Sequence, residues 1–428
     1  MNKQIKINLI SLIILVGFMI SFLYHYIMGI YLGKNYPFNT FLFRPWSRFG
    51  DFIDAYKICN IPYLENPKPF ENPLSLIIHF PFLQKFISVF TILNLKYAFV
   101  LFISIFLFFF FYYSYKNLCN QNNVETYKNL LIFTLMSYPF LFSIDRANFE
   151  IYVFIFICLF VYFYKNNRVI ISIIFLSFAI SMKITPALFL VILLSNKKYR
   201  EILFTMIIVS VLTITSYLSI DGGFLENVNN HLINLSLYNK IYAIGNEGLY
   251  FGNSLYGLIK FLIYLLQEIL GSSNKTAENI IIFLFKIYPI FSILIFIALT
   301  IYIILIEKVF WKKTALLVFA MNLLPYVSGD YKLLHLYVPL FLFINSVEHE
   351  NNDLIYTILF SLLLIPKNYY NLQAENLVEA NIAVAINPLI MLIFSIIIIY
   401  SGLKYKNKTN KLLSNRSLPD FRTFFSKI

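Results

Sequence analysis

Charged residues are scarce in this chain of 428 residues. Asp, Glu, Lys and Arg together make up 13% of it, whereas soluble domains contain roughly 25%. Hydrophobic residues make up 59% and aromatic residues 19%, which is more apolar surface than soluble cores could bury. This composition excludes an ordinary soluble protein of two or three domains. The apolar blocks also show no alternation of polar and apolar residues, which excludes a membrane β-barrel.

Cysteine is scarce as well, and signatures of nucleotide and metal sites are absent from the sequence. Cys59, Cys119 and Cys158 lie in different segments without paired spacing, which predicts neither a disulfide framework nor a cysteine-bound metal. The sequence contains no P-loop, no G-x-G-x-x-G, no H-E-x-x-H and no G-x-S-x-G. We therefore expect no metal and no cofactor.

What the sequence has instead is long apolar blocks. They cover residues 9–27, 97–113, 280–306 and 387–403, and each is close to the ~20 residues that a helix needs to cross a ~30 Å hydrocarbon layer. Within lipid, only helices and closed barrels satisfy all backbone hydrogen bonds. The sequence therefore predicts an all-α, polytopic integral membrane protein. The first block resembles a signal peptide, but no small-residue cleavage site follows it, so we expect a retained first helix.

The formal net charge of +13 is explained by topology. Such a charge also suits nucleic-acid binding, but lysine and arginine collect in the cytoplasmic loops of membrane proteins, and the basic residues here cluster between apolar blocks. We therefore expect no nucleic-acid partner. Placing these clusters inside predicts about twelve spans with both termini in the cytoplasm. The predicted spans are 8–28, 97–115, 129–142, 150–164, 169–182, 186–195, 201–220, 279–305, 314–327, 333–346, 354–366 and 385–403.

Several predicted spans are only 10–14 residues long, too short to cross the membrane alone. Broken helices of this kind are tolerated where the backbone lines a cavity rather than lipid. Residues 249–270 and 74–93 are also apolar. Counting the first as a crossing would place a basic cluster outside, and prolines break the second. We expect both to be re-entrant or interfacial helices.

The chain shows no internal repeat and no low-complexity linker, so we predict one integral membrane domain over residues 1–428. On the predicted topology, the long outer segments are 29–96 and 221–278, and the basic cytoplasmic tail is 404–428. The first outer segment is dense in charged, aromatic and proline residues, so we expect it to contribute to a site.

Charged side chains collect at the ends of spans on the predicted outer face. A charge near the membrane boundary is costly and usually faces a cavity or the interface. We expect an acidic side chain after the first span to meet cations from later span ends in one pocket beside the outer leaflet. The candidates are Asp51 and Asp54, the turn Asp145-Arg146-Ala147-Asn148-Phe149-Glu150, Lys183, and Asp330-Tyr331-Lys332 with His335.

Each candidate taken singly has a structural alternative. A lone lysine at a helix end, such as Lys183 or Lys332, usually reaches toward lipid headgroups. Local ion pairing within its own turn is an alternative explanation for Arg146. The spacing of Asp51 and Asp54 places them on one face of a helical turn, which suits a solvated loop helix as well as a site.

Together the candidates suit the displacement of a lipid-linked phosphate. A carboxylate removes the proton of an attacking hydroxyl, while arginine and lysine neutralise the departing phosphate. Trp46, Tyr56 and Tyr63 offer flat faces for a sugar, although Trp and Tyr are also common as interfacial anchors. A donor carried by lipid fits the lack of a nucleotide-binding signature.

Short motifs in a fixed order carry a resemblance over most of the chain. The motifs are Gly50-Asp51-Phe52, Ile61-Pro62-Tyr63, Asn72-Pro73-Leu74, the turn 145–150, Lys183-Ile184-Thr185-Pro186, Gly252-Asn253-Ser254-Leu255, and Pro325, Ser328 and Tyr331 before His335. They resemble those of the polyprenyl-phosphate-mannose-dependent α-mannosyltransferases, an integral-membrane family within the C-type glycosyltransferase superfamily.

The resemblance implies an inverting hexosyltransferase of the 2.4 enzyme class. It would move a sugar, normally mannose, from a polyprenyl-phosphate donor to a cell-envelope glycan or glycolipid on the outer face of the cytoplasmic membrane, without a metal. It also implies that Asp51 is the catalytic base and that Arg146 and Lys183 contact the donor phosphate. Further candidates are Asp54, Arg44, Arg48, Asn148, Glu150, Asn253, Tyr331 and His335.

The sequence departs from the family pattern in three places. Glu71-Asn72-Pro73 replaces an aromatic-Pro-Pro pattern, Ala147 replaces the usual glycine, and a glutamine expected between Asn253 and Ser254 is missing. These changes leave the sugar and the acceptor undetermined.

Two other function classes stay open at this point. A polysaccharide polymerase or ligase that uses undecaprenyl-pyrophosphate glycans also has about twelve spans and basic outer loops, but usually relies on arginine and histidine there. A flippase of lipid-linked glycans would carry out no chemistry, but transporters commonly show repeated halves and midplane charges. The donor that is consumed would distinguish the first class from a lipid-phosphosugar transferase.

Overall fold

A computed structural model describes residues 1–59, 79–120, 122–245, 247–270, 274–348, 350–369, 371–374 and 378–414. Several sequence predictions lie outside these ranges, among them the motifs Ile61-Pro62-Tyr63 and Asn72-Pro73-Leu74, the departure at Glu71, and the part of the predicted tail after residue 414.

The described chain is almost entirely helical, as the composition predicts. Short 3-10 turns (Pro45–Ser47, Phe90–Ile92, Thr185–Phe189 and Asp330–Leu336) and π-helical segments (Ile27–Tyr31 and Asn239–Ile244) adjoin the α-helices. The α-helices are α1 Lys3–Tyr26, α2 Gly50–Ile58, α3 Pro81–Ser88, α4 Leu95–Leu118, α5 Asn123–Leu135, α6 Tyr138–Arg146, α7 Glu150–Lys165, α8 Val169–Met182, α9 Leu190–Ser195, α10 Tyr199–Leu218, α11 Phe224–Tyr238, α12 Leu255–Leu270, α13 Asn274–Leu305, α14 Phe310–Leu323, α15 Tyr337–Ile344, α16 Asp353–Leu364 and α17 Ala383–Ser414.

Within the described ranges, five helical segments are long and apolar enough to cross a membrane: Lys3–Tyr31, Leu95–Leu118, Tyr199–Leu218, Lys275–Leu305 and Ala383–Lys404. This finding supports a helical membrane protein. The count of about twelve spans stays a prediction, because the other helices are shorter than a hydrocarbon layer requires.

Two features differ from the predicted elements. The span predicted at 129–142 is divided, since α5 ends at Leu135 and α6 begins at Tyr138. Pro139 lies in the first turn of α6, where its missing N–H costs nothing, but it would break a continuous helix. The all-α prediction also missed an antiparallel hairpin of Asn371–Ala374 with Val378–Asn381.

The two apolar stretches that we expect to be re-entrant or interfacial contain short helices preceded by irregular backbone. In the region 249–270, α12 begins only at Leu255, after an isolated bridge between Gly252 and Gly329. In the region 74–93, Pro81 opens α3, and a 3-10 turn follows it. Their re-entrant or interfacial placement stays a prediction.

Aromatic packing holds the bundle together. Along α4 the buried residues Phe102, Phe106 and Phe110 recur every fourth position, so they share one face. The Phe102 ring lies 4.9 Å from that of Tyr152, and the Phe110 ring lies 4.9 Å from that of Tyr337. Since lipid tails are as apolar as these side chains, close van der Waals packing rather than water exclusion stabilises helices in a membrane.

The packing brings several helix ends to one place. The contacts there join the start of α2, the end of α6, the start of α7, the end of α8 and the 3-10 turn Asp330–Leu336. Acidic side chains lie in the first turns of α2 and α7, and a basic one in the last turn of α6. Each charge therefore complements the partial charge of its helix end.

Gly17 allows α1 to approach the end of α16 closely. A Cβ atom at this position would lie 2.6 Å from Cγ2 of Ile365 and 2.9 Å from its Cβ. The β-branched Ile365 has little rotamer freedom with which to yield, and small residues are typical of close contacts between membrane helices.

We predict that Gly17→Ala destabilises the protein by about 1–3 kcal/mol through this overlap. Thermal unfolding of the purified protein in detergent measures the effect. The double variant Gly17→Ala/Ile365→Ala should recover part of the loss, because the smaller side chain makes room. Leu12→Ala on the exposed face of α1 is the control. If Gly17→Ala melts with the wild type, this close contact does not exist.

Candidate active site

Asp51 lies at the centre of a polar cluster. It occupies the first turn of α2, where its carboxylate accepts hydrogen bonds from the guanidinium of Arg146 through Oδ1 and from Nδ2 of Asn148 through Oδ2, the latter at 2.6 Å. The side chain of Asp51 is 21% exposed and that of Arg146 is 11% exposed. The Asp51 carboxylate is therefore held by hydrogen bonds, while part of the side chain remains exposed.

The local backbone explains why Arg146 points at α2. Ala147 ends α6 with φ of 49°, in the left-handed region that usually selects glycine, and so turns the chain at once into α7. The Nη1 group of Arg146 donates to the carbonyl oxygen of Ser47 at 2.8 Å, and its guanidinium lies 3.9 Å from the ring centre of Phe43. Both contacts fix the guanidinium plane.

Gly50 lies at the start of α2, close to both Ser47 and this guanidinium. A Cβ atom there would lie 3.4 Å from Nη2 of Arg146 and 3.2 Å from Oγ of Ser47. In the Gly50-Asp51 pair of the sequence motif, the glycine therefore avoids a tight contact with the Ser47 hydroxyl, and the aspartate supplies the charge.

Lys183 extends the cluster from the end of α8. Its ammonium donates to Oδ1 of Asn148 at 3.1 Å and to Oε2 of Glu150 at 2.5 Å. The other oxygen of Glu150 lies 2.8 Å from Nε2 of His335, and both of these side chains are fully buried. A continuous series of hydrogen bonds and ion pairs, the bonded line, thus runs from Asp51 through Asn148, Lys183 and Glu150 to His335.

Asn148 connects the two halves of this line. Its side-chain oxygen accepts from Lys183 and also from the backbone N–H of Glu150 at 2.9 Å, which satisfies a free donor in the first turn of α7. Its side-chain nitrogen donates to Asp51. The orientation of this amide is therefore determined by its neighbours on both sides.

Tyr331 and Lys332 form one wall of the site. The ring centre of Tyr331 lies 5.1 Å from the ammonium of Lys183. Lys332 is buried, and among the residues that the structure describes none bonds or pairs with its ammonium. Burial lowers the pKa of Lys332 to about 8, although nearby Glu150 opposes this shift. Lys332 is therefore a buried cation beside the line of bonded residues.

Asn253 belongs to a second cluster. Its Nδ2 donates to Oδ1 of buried Asp330 at 2.6 Å, and the hydroxyl of Tyr138 donates to the other oxygen. Asn387 donates to Asn253 at 2.9 Å. Burial raises the pKa of Asp330 to about 6, against the effect of the donors Tyr138 and Asn253. This cluster braces the turn that carries Tyr331, and Asn253 does not contact Asp51.

The remaining candidates lie at the rim. Asp54 is exposed on the next turn of α2, and Arg48 is exposed with its Nε 3.6 Å from Oδ1 of Asp145. Asp145 accepts the backbone N–H of Phe43 at 3.1 Å, so it holds the segment between α1 and α2 in place. The Arg44 guanidinium carbon lies 5.9 Å from the Phe43 ring centre.

Sequence reasoning missed three residues beside Asp51. Tyr238, at the end of α11, and Tyr242, in the π-helical segment after it, both lie close enough to Asp51 to interact electrostatically, and their rings stack at 4.4 Å. His79 interacts with Asp51 and Lys183, and burial together with Lys183 lowers its pKa to about 4. In the sequence, only the length of the segment 221–278 hinted at the contribution of Tyr238 and Tyr242, and His79 had no comparable signal.

The described residues contain no group of three His, Cys, Asp or Glu side chains placed to hold a metal ion. Chemically, the cluster offers a partly exposed carboxylate, two hydrogen-bonding cations that are also partly exposed, and a third cation beside them. This set can take a proton from a hydroxyl and bind an anion.

Comparison with known proteins gives one match. The model of glycosyltransferase family 87 matches residues 78–284. This match indicates a glycosyltransferase. The matched region contains Arg146, Asn148, Glu150 and Lys183, whereas Asp51 precedes it and His335 follows it. No curated protein and no solved structure matches the chain.

We predict that Glu150→Gln lowers the melting temperature of the protein by several degrees. The change leaves the Lys183 ammonium without its buried counter-ion, and breaking such pairs costs about 3–5 kcal/mol. Adding Lys183→Met should restore part of the stability, since no lysine ammonium is then left at position 183 without its counter-ion. Glu226→Gln, at an exposed position in α11, is the matched control. Equal melting of Glu150→Gln and the wild type would show that this pair is not buried.

Proposed function

We propose that the protein is an inverting hexosyltransferase. It transfers a sugar, normally mannose, from a polyprenyl-phosphate donor to a cell-envelope glycan or glycolipid. One observation carries the proposal: a partly open carboxylate, Asp51, shares a bonded cluster with Arg146 and Lys183. The family match supports sugar transfer, and the resemblance of the motifs supports the donor class.

The reaction needs one base and one anion site. A hydroxyl of the acceptor attacks the anomeric carbon of the donor from the side opposite the phosphate, and its proton passes to Asp51. The bond between the anomeric carbon and the phosphate oxygen breaks, and its electron pair stays on the phosphate. Attack from the opposite side inverts the anomeric centre. Proton removal by a positioned carboxylate typically contributes 10²–10⁴-fold.

Arg146 and Lys183 would neutralise the phosphate. The guanidinium has five N–H donors, so it can bind a phosphate oxygen while it retains its bond to Asp51. The side chain of Lys183 is 22% exposed, which leaves part of it open to a ligand. Both cations are already oriented by protein contacts, so little reorganisation is needed as charge develops on the leaving group.

Lys332 would add a third positive charge. Its ammonium is buried beside Glu150 and Lys183. A pKa of about 8 leaves it largely protonated at neutral pH. An unpaired buried cation is costly, and an anionic donor would relieve that cost. We therefore include Lys332 among the residues that bind the phosphate.

The membrane supplies the donor. The apolar helices suit a protein embedded in lipid, and a prenyl chain could enter the bundle between them while its phosphate stays at the helix ends. From the basic clusters of the sequence we propose the cytoplasmic membrane, with the site on the outer face and both termini inside. The family match favours a transferase over a flippase.

We predict that Asp51→Asn lowers the transfer rate by about 10²–10⁴-fold because it removes the base and nearly preserves its shape. Membranes are incubated with radiolabelled polyprenyl-phosphate mannose and a lipid extract, and the labelled product is identified. Asp54→Asn is the matched control: it alters an exposed aspartate one turn away on the same helix and should stay within a few-fold of the wild type.

Wild-type activity in folded Asp51→Asn protein would reject the assigned base. If the wild type consumes only a pyrophosphate-linked oligosaccharide, the polymerase or ligase class is correct instead. Transport of a lipid-linked glycan without any covalent product would support a flippase.

A further inference from the structure

An exposed tryptophan lies next to the proposed catalytic cluster. Trp46 is in the middle of the 3-10 turn Pro45–Ser47, and 73% of its surface is exposed. The next residue, Ser47, accepts the hydrogen bond that orients Arg146. Trp46 is therefore adjacent in the chain to a residue that contacts the Asp51–Arg146 pair.

The Trp46 ring is supported from one side. Its centre lies 5.4 Å from that of Tyr36 at an interplanar angle of 73°, an edge-to-face contact. Tyr36 in turn lies 5.9 Å from Tyr250, which is buried and whose carbonyl accepts from Asn381 at 2.8 Å. The platform is thus anchored through Tyr250 to the region before α17, while the indole keeps a large open surface.

The turn itself is also restrained. Pro45 fixes the backbone at its first position, and the N–H of Ser47 donates to the carbonyl oxygen of Arg44 at 2.9 Å. Arg44 and Arg48 flank the turn in the chain, and each guanidinium carries several N–H donors. Flat apolar surface with adjacent donors suits a sugar ring, which has apolar C–H faces and a rim of hydroxyls.

The other tryptophan shows the contrast. Trp311 is only 4% exposed and packs between Phe343 and Tyr356, at ring distances of 4.9 and 5.2 Å. It is therefore part of the core. Trp46 makes no comparable core contribution, so its packing alone does not explain why a large aromatic residue occupies this turn.

We propose that Trp46 is the stacking platform for a sugar ring of the acceptor. The inference rests on the proposed glycosyl transfer and deepens it: the acceptor is a glycan or glycolipid that already carries a sugar, rather than a simple lipid alcohol. The stacked ring lies next to Ser47 and presents its neighbouring hydroxyl toward Asp51.

Fluorescence tests the platform without any transfer reaction. The chain contains two tryptophans, so Trp311→Phe leaves Trp46 as the sole indole emitter. This variant is reconstituted without donor in bilayer discs and titrated with mannobiose, maltose and lactose. We expect a saturable change in Trp46 emission with at least one disaccharide. Discs made with brominated phospholipid should quench this emission only weakly, because the ring faces the site rather than the acyl chains.

Kinetics provides the second readout. Trp46→Leu should raise the KM for the acceptor roughly three- to tenfold, as expected for the loss of one aromatic contact, and leave the KM for the donor unchanged. Trp46→Phe should retain part of the effect of the ring. Trp311→Phe is the control that changes tryptophan content without touching the platform.

The outcomes separate this inference from the proposed function. Strong quenching by brominated lipid, or an unchanged acceptor KM in Trp46→Leu, would overturn the platform and make Trp46 an interfacial anchor, while loss of transfer in Asp51→Asn would still support the enzyme. Saturable disaccharide binding in a protein that transfers no sugar would instead support the platform and contradict the proposed reaction.

Discussion

The contact between Asp51 and Arg146 is the interaction on which the rest of the site depends. It joins the start of α2 to the end of α6, and the neighbouring residues support it. Gly50 avoids a tight contact with the Ser47 hydroxyl, Ala147 turns the chain so that Arg146 can reach α2, and the Ser47 carbonyl fixes the plane of the guanidinium. Because α2 is a short helix of 9 residues, this contact with α6 places its carboxylate at the helix ends.

The cost of burying charged side chains determines how the other residues of the site are paired. Glu150 is fully buried, and a buried carboxylate is tolerated only with partners, which Lys183 and His335 supply. Asn148 then links that pair to Asp51. Burying these charged and polar side chains costs free energy, so their bonds are weak evidence for stability. Their consequence is that the side chains that would bind an anion are already in position before a ligand arrives.

The sequence predicts the parts of this arrangement that are local. Arg146, Asn148 and Glu150 fall within one turn, and Lys183 ends the helix that packs against α7, so helix ends and charge patterning were enough to group them. The placement of Tyr238, Tyr242 and His79 could not be predicted, because it depends on how distant segments fold back over α2. The pairing of Asn253 with Asp330 is likewise a tertiary contact, and the break before Pro139 was masked by continuous hydrophobicity.

The central claim is that these helix ends form a phosphate site facing an open carboxylate. An electron cryomicroscopy structure of the Asp51→Asn protein with bound polyprenyl-phosphate mannose tests it most directly. We predict that the donor phosphate lies within hydrogen-bond distance of Arg146 and Lys183, with the anomeric carbon facing residue 51. A phosphate bound elsewhere, with both cations still paired only to protein carboxylates, would contradict the account.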